Sequence, residues 1–224
     1  MGRNGYPTRN LTVALAVYIA LLSLVLGGCK GKKVGDDGSI AAYRSNFDSP
    51  EELNNWKCYD KGKWEVRDGW LVCDSRETTD SRSILWLSRI VSDDVQIEFE
   101  AECLDKPGEI NCFLNGDGQN YSGYEINIGG PDNRKVAVYK SMKDGDHRVR
   151  RRLARESFTL DKERVYAIKI KKYHGSFRVY VNEEAVIATS DEKQPISDST
   201  HRYFGFSTMG NRVRFDNLRI ERRY

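Results

Sequence analysis

Apolar and polar residues alternate with a period of two along most of this chain, in short runs broken by Gly, Asp and Asn. Successive strand residues point to opposite faces, so this pattern predicts strands with one buried and one outer side. The runs are KWEVR, GWLVCDS, SILWLS, VQIEFEAEC, EINCFLN, GYEINI, KVAVYKS, RVRRRLA, RVYAIKIKKY, SFRVYVN, AVIATS, RYFGFST and RVRFDNLRIE. Helix signals are confined to Ser49-Pro50-Glu51-Glu52. There an N-cap serine, a proline at the first helical position and a capping-box glutamate suffice for one or two turns. A dozen or so short strands, spaced roughly 8–12 residues apart with no helices between them, predict an all-β antiparallel sandwich or barrel. No repeat of roughly 20–50 residues is visible, which disfavours a propeller.

The N-terminus breaks the pattern. Arg3 and Arg9 precede the uncharged run Leu11 to Gly28, 18 residues long, which ends at Cys29. A basic segment, an apolar segment and terminal small residues describe a secretory signal, although the run is also long enough for an uncleaved membrane anchor. Leu26-Gly27-Gly28-Cys29 resembles a bacterial lipobox, which implies cleavage after Gly28 and lipidation of Cys29. By the same resemblance, Lys30 after the cysteine implies an outer-membrane lipoprotein of the cell envelope, held to the membrane by its N-terminal lipid. Lys30–Ser39, KGKKVGDDGS, reads as a flexible tether. Residues 40–224 are then one domain, large enough for a sizeable core.

Charge narrows the partners. The chain has 36 basic residues, and removing Arg3 and Arg9 leaves 34 against 33 acidic, close to +1. Near neutrality gives no global argument for nucleic acid. The run HRVRRRLAR, His147 to Arg155, is a local basic stripe. It is either a solvated strand face or a contact for an anionic polysaccharide or lipopolysaccharide. His147, His174 and His201 are scattered, and no Cys or His spacing suggests a metal site.

Four cysteines follow Cys29. Pro107-Gly108 is a turn signal. If it closes a hairpin, Cys103 faces Cys112, within disulfide range of ~4.4–6.8 Å between Cα atoms. A Cys103–Cys112 bridge is therefore expected. Turns near Gly62 and Gly69 would place Cys58 and Cys73 on either side of Trp64, too far apart to bridge, so both are expected to be buried, unpaired thiols unless the first segment leaves the sheet.

In VQIEFEAEC, Val95, Ile97, Phe99, Ala101 and Cys103 form an apolar face, and Glu98, Glu100 and Glu102 point the other way. The hairpin register adds Asn111, Phe113 and Asn115 to the glutamate face, with Phe113 opposite Glu102 and Asn115 opposite Glu100. In YEINIGG, Glu125 and Asn127 point outward. A ring among carboxylates and amides suits a sugar surface: the ring covers an apolar sugar face and the amides bind hydroxyls. Glutamates two apart lie ~6.7 Å apart at Cα, compatible with either carboxyl spacing used by glycosidases, ~5–5.5 Å or ~6.5–9.5 Å. Glu98, Glu100, Glu102 and Glu125 are thus candidate catalytic acids, and Asn111, Phe113, Asn115 and Asn127 candidate glycan-binding residues. The alternative is a charged outer face that discourages edge pairing. Trp56, Trp64, Trp70 and Trp86 are expected in the core, Trp70 being the readiest exception.

Asn46-Phe47-Asp48 with Trp56, then WEVRDGWL (Trp64–Leu71), CFLN with YEINI, and GFS leading to RFDNLRI carry a resemblance over most of residues 40–224. Together they resemble the concanavalin A-like lectin/glucanase superfamily, and within it the bacterial 3-keto-disaccharide hydrolase domains. The resemblance implies a two-sheet antiparallel jelly-roll sandwich whose concave sheet meets a polysaccharide or oligosaccharide. Glu98-Phe99-Glu100-Ala101-Glu102 is similar to the acidic ladder of laminarinase-like glucanases in that superfamily. Asp216 resembles the last-strand aspartate that helps hold a structural calcium in some of them; no other cofactor is implied. The chain departs from the hydrolase-domain pattern at Asn111-Cys112, usually Gly-Ile, and at Arg164–Ala167, which lacks the usual Trp-Asn pair. Three functions follow as expectations: glycan hydrolysis, non-catalytic glycan binding, or a structural, protein-binding lipoprotein.

Overall fold

The computed structural model describes residues 38–59, 62–77, 82–105, 108–144, 147–196 and 200–223. The expected signal, the lipidated Cys29 and most of the tether lie outside them. Two antiparallel sheets stack face to face. Numbered along the chain, the first runs in the order β13 (Glu184–Ser190), β12 (Ser176–Val181), β11 (Tyr166–Tyr173), β6 (Val95–Cys103), β15 (Arg212–Arg222), β4 (Trp70–Asp74) and β3 (Lys63–Arg67). β1 (Ala42–Ser45) pairs with the far end of β15 and makes this sheet eight-stranded. The second, seven-stranded sheet runs β10 (His147–Ser157), β9 (Lys135–Asp144), β8 (Gly123–Gly129), β7 (Ile110–Gly116), β14 (Tyr203–Thr208), β5 (Ser83–Leu87) and β2 (Trp56–Tyr59). The proline-led helical signal forms a 3-10 turn at Pro50–Asn55. The sandwich expected from the alternation is therefore present, with β1 and β2 as strands too short to read from pattern alone.

The core lies between the sheets and is aromatic at its centre. Phe206 of the seven-stranded sheet stacks on Phe215 of the eight-stranded sheet at 4.2 Å between centroids and meets Phe99 edge-on at 5.1 Å. Trp56 stacks on the same ring at 5.7 Å. Val95, Ile97, Phe99, Ala101 and Cys103 are all buried, as the alternation required, and so are Ile110, Cys112, Leu114, Tyr124, Ile126 and Ile128. Burying these side chains is the main favourable term for the fold, at ~1.5–3 kcal/mol for each large apolar one.

The expected β6–β7 hairpin does not form. β6 sits between β11 and β15, and β7 lies in the other sheet between β8 and β14. The charges on the outer face fit the pairing that forms. Glu98 faces Lys169 on one side and Arg219 on the other, and Glu102 faces Arg214, whereas β7 would have offered only a ring and amides. The connection around Gly108 thus carries the chain from one sheet to the other. The expected Cys103–Cys112 bridge falls with the hairpin: both are free thiols. They sit on strands of different sheets, and packed sheets lie ~10 Å apart, beyond disulfide reach. Burial raises both thiols above their ordinary value, Cys103 to about 11. Cys73 is buried beside Trp64 as expected, but β2 left for the seven-stranded sheet, and Cys58 there is exposed.

Candidate functional site

The sandwich has two outer faces, and the sequence candidates divide between them. Glu98, Glu100 and Glu102 lie on the outer face of the eight-stranded sheet. Glu98 accepts a hydrogen bond from Gln96 Nε2 at 2.8 Å and lies 3.7 Å from Lys169 Nζ. Asn217 Nδ2 donates to Glu100 Oε2 at 3.0 Å. Glu102 is buried, with Arg214 Nε and Nη2 at 2.7 and 2.5 Å from Oε2, and that guanidinium lies over the Trp70 ring at 4.2 Å. A cleft of about 400 Å³ passes Glu98, Glu100, Lys169 and Arg219. Beside it, at a bulge in β15, Asp216 faces Glu100, and burial followed by that carboxylate raises its carboxyl above the usual range. Among the described residues, no aromatic ring lines this cleft apart from the buried Phe99 beneath it. Its glutamates are occupied by cross-strand cations and amides.

Asn111, Phe113, Glu125 and Asn127 lie together on the opposite outer face, that of the seven-stranded sheet. Register pairs Asn111 with Asn127 and Phe113 with Glu125. The ring-beside-carboxylate arrangement expected from the sequence is thus present, but with Glu125 in place of Glu102. Phe113 packs with Ile84 and Trp86 in a second apolar cluster covered by Tyr59, Tyr121 and Tyr203. Trp86, not Trp70, is the tryptophan of this face. Its indole lies over two bare glycines: a Cβ at Gly116 would meet the ring at 2.1 Å, and one at Gly205 at 2.6 Å. Asn115 turns away at φ 48° and donates to Asp93 Oδ1 at 2.6 Å, so it holds the rim of the sandwich.

Glu125 is 0% exposed and is surrounded by guanidinium groups. Arg150 Nε and Nη2 donate to its two oxygens at 3.0 and 3.1 Å, Arg148 Nη2 donates at 3.1 Å, and Arg82 Nη1 pairs with Oε1. Arg150 also lies 3.4 Å from the Tyr139 ring centroid, and Arg148 donates to Ser141 Oγ at 3.0 Å. Both carboxylate oxygens are therefore taken. Burial holds the Arg148 guanidinium below its ordinary value against the pull of Glu125, with Arg82 and Arg150 adding repulsion.

Next to this clamp runs a polar row that is incompletely satisfied. Asn127 Nδ2 donates to Glu109 Oε2 at 2.5 Å and to Asn111 Oδ1 at 2.6 Å. Ser207 faces Asn111 in register. Five buried atoms on this face have no hydrogen-bond partner among the described residues: Glu109 Oε1, Asn111 Nδ2, Asn127 Oδ1, Ser207 Oγ and Trp86 Nε1. Native proteins leave few buried polar atoms unpaired, because each costs about 1–3 kcal/mol. Five on one face, mixing donors and acceptors, leave hydrogen bonds that water or hydroxyl groups would complete. Sequence reasoning found Asn111 and Asn127 by alternation. It missed Glu109, placed beside the expected turn, and Ser207, whose position depends on which strand neighbours β7. Near the rim, His201 Nε2 and Ser122 Oγ share a hydrogen bond at 2.9 Å, and burial lowers the imidazole's pKa.

Residues 42–221 match the family model of the 3-keto-alpha-glucoside-1,2-lyase-like domain. The chain belongs to that family. No curated protein matches it. Solved structures share the family domain's fold at low identity. Carbohydrate-binding module CBM66 from Bacillus subtilis aligns at TM-score 0.62 and 19% identity, over 75% of this chain and 95% of that one. A Bacillus subtilis protein of unknown function with a galectin-like fold aligns at TM-score 0.63 and 16% identity, over 85% and 99%. LamAcat from Zobellia galactanivorans aligns at 0.57 and 13%, over 80% and 96%. This 3-keto-alpha-glucoside-1,2-lyase-like domain is therefore a jelly-roll sandwich of the kind found in carbohydrate-binding and glycoside-hydrolase proteins.

Proposed function

We propose that this chain is an envelope lipoprotein whose lyase-like domain binds a glucoside on the outer face of the seven-stranded sheet and cleaves it there. The observation that carries the reading is the row of five unpartnered buried polar atoms beside Trp86 and Phe113. The half-buried Tyr121 and Tyr203 that cover Phe113 and Trp86 would meet an apolar sugar face, and its hydroxyl groups would reach Asn111, Asn127 and Ser207.

The chemistry of the face favours elimination over two-acid hydrolysis. Glycoside hydrolysis ordinarily needs a pair of available carboxyl groups. Here Glu125 is occupied by three arginines, and among the carboxylates described on this face Glu109 alone has an oxygen without a partner. A 3-keto-glucoside needs only one base, which takes the proton on C2 to give an enolate. As the C3 ketone re-forms, the C1–O bond breaks to leave a C1=C2 double bond, and the proton taken from C2 passes to the departing alkoxide, which leaves as the neutral alcohol. Glu109 is the assigned base, and Asn111 Nδ2 is a neutral donor for the enolate oxygen.

A second reading, non-catalytic binding, is favoured by one observation: arginines take both oxygens of Glu125, which removes the carboxylate beside Phe113 from acid or base work. The test offers the full-length chain a panel of glucosides and their 3-keto forms, with mass spectrometry reading new saccharide ends. Glu109→Gln is expected to lower product by about 10²-fold or more while binding persists. Glu98→Gln/Glu100→Gln/Glu102→Gln is expected to leave product unchanged. Loss of product in that triple variant alone would move the site to the other sheet. Saturable binding without product from any substrate would establish the module reading.

A further inference from the structure

β10 makes the proposed face strongly cationic. Its register with β9 sets Arg150 opposite Ser141, Arg152 opposite Tyr139 and, after a bulge, Arg155 opposite Ala137. Ser141, Tyr139 and Ala137 continue the rows of Gly123, Glu125 and Asn127. Arg148, Arg150, Arg152 and Arg155 thus border the outer face along one edge, whereas Arg151 points the other way to Asp191 at 2.5 Å. With Arg82, five guanidinium groups share this face with two carboxylates, Glu109 and Glu125, among the described residues.

Glu125 cannot neutralise the three arginines that hold it, and Arg152 and Arg155 are exposed with no acidic partner among the described residues. A solvated stripe would keep its charges apart and exposed. Here three guanidinium groups converge on one fully buried carboxylate, and each is no more than a third exposed. Partly desolvated excess charge is costly unless an anion completes it. Beside Arg148, a cleft of about 150 Å³ is lined by Asn120, Tyr121, Ser122, Lys143 and His147. Arg155 shares a row with Asn127, two strand spacings or ~9.6 Å away, so one ligand can touch both edge and centre.

We infer that the saccharide taken by this face is acidic, with a carboxylate or sulfate seated on the arginine edge of β10 while a neighbouring ring meets Tyr121, Tyr203 and the Asn111–Asn127 row. This rests on the reading that the seven-stranded face is the glycan site. Arginine suits either anion because its planar fork binds paired oxygens.

The test uses matched pairs of short oligosaccharides and the full-length chain in mild detergent. A short oligoglucuronate is compared with its methyl ester, and a sulfated oligoglucoside with its desulfated form, by calorimetric titration at low and high salt. Binding of the charged member of either pair, weakened by salt and about tenfold weaker in Arg152→Gln/Arg155→Gln, is expected; that loss corresponds to one charge-assisted contact. The pair that responds identifies the anion. These two residues have no partner to strand, so the double variant is expected to unfold at the same denaturant concentration as the parent. Equal binding of charged and neutral members, unaffected by the substitutions, would overturn this inference and leave the glycan site standing. A short DNA oligonucleotide binding as tightly as the charged sugars would overturn it as mere polyanion attraction. Failure of every saccharide, charged or neutral, would overturn both readings.

Discussion

At the scale of single residues, the environment of each carboxylate decides its role, and two glutamates on one sheet face end differently. Glu125 is enclosed by Arg82, Arg148 and Arg150, whereas Glu109 keeps Oε1 without a partner. Glu125→Gln strands three partly buried cations and is expected to cost about 3 kcal/mol, the low end for a broken buried pair because two of the arginines are a third exposed. Urea unfolding measures this, and a loss below ~0.5 kcal/mol would refute the clamp, being what an ordinary surface substitution gives. His201 supplies a pH dependence. Burial lowers its pKa from 6.5, with Asp117 acting weakly the other way, so the folded state favours the neutral ring. The unfolded chain then binds the extra proton first as pH falls below 6.5, and stability declines from there down to the folded pKa. His201→Gln should flatten that part of the unfolding midpoint between pH 7.5 and 5; an unchanged slope would assign it elsewhere.

At the scale of elements, strand neighbours carry the information that alternation lacks. Period two told which residues of β6, β7 and β8 face outward, and those parities hold except at Asn115, which a positive φ turns to the rim. It could not tell that the outer faces of β6 and β7 belong to different sheets, because parity is local and pairing is not. The thiols check this directly. Alkylation of unreduced, denatured chain is expected to label Cys103 and Cys112 fully, and protection of both until a reductant is added would restore the bridge. Gly116 and Gly205 test the packing of Trp86. Gly116→Ala forces a methyl into the indole, an overpacking cost of ~1–3 kcal/mol, and should shift the tryptophan emission as the ring moves. An unchanged spectrum and midpoint would mean the ring has room that the structure denies it.

At the scale of the whole molecule, the two outer faces separate two kinds of charge. The glutamates of β6 are matched by Lys169, Arg214 and Arg219 on neighbouring strands, so that face is a wall of cross-strand pairs. The seven-stranded face has excess arginine and unpaired buried polar atoms, which is why the function is assigned there. By itself, the sequence determined the all-β class, the buried parity of each strand, the family resemblance and the outward placement of Asn111, Phe113, Glu125 and Asn127. Those follow from local alternation and short motifs, which need no knowledge of distant partners. Tertiary structure alone decided that Glu98, Glu100 and Glu102 lie on the side away from Phe113, that Glu125 gathers Arg82 from β4–β5 and Arg148 and Arg150 from β10, and that Glu109 and Ser207 join the amide row. Each depends on which strands become neighbours, and that is set by burying two apolar faces against each other across the whole sandwich.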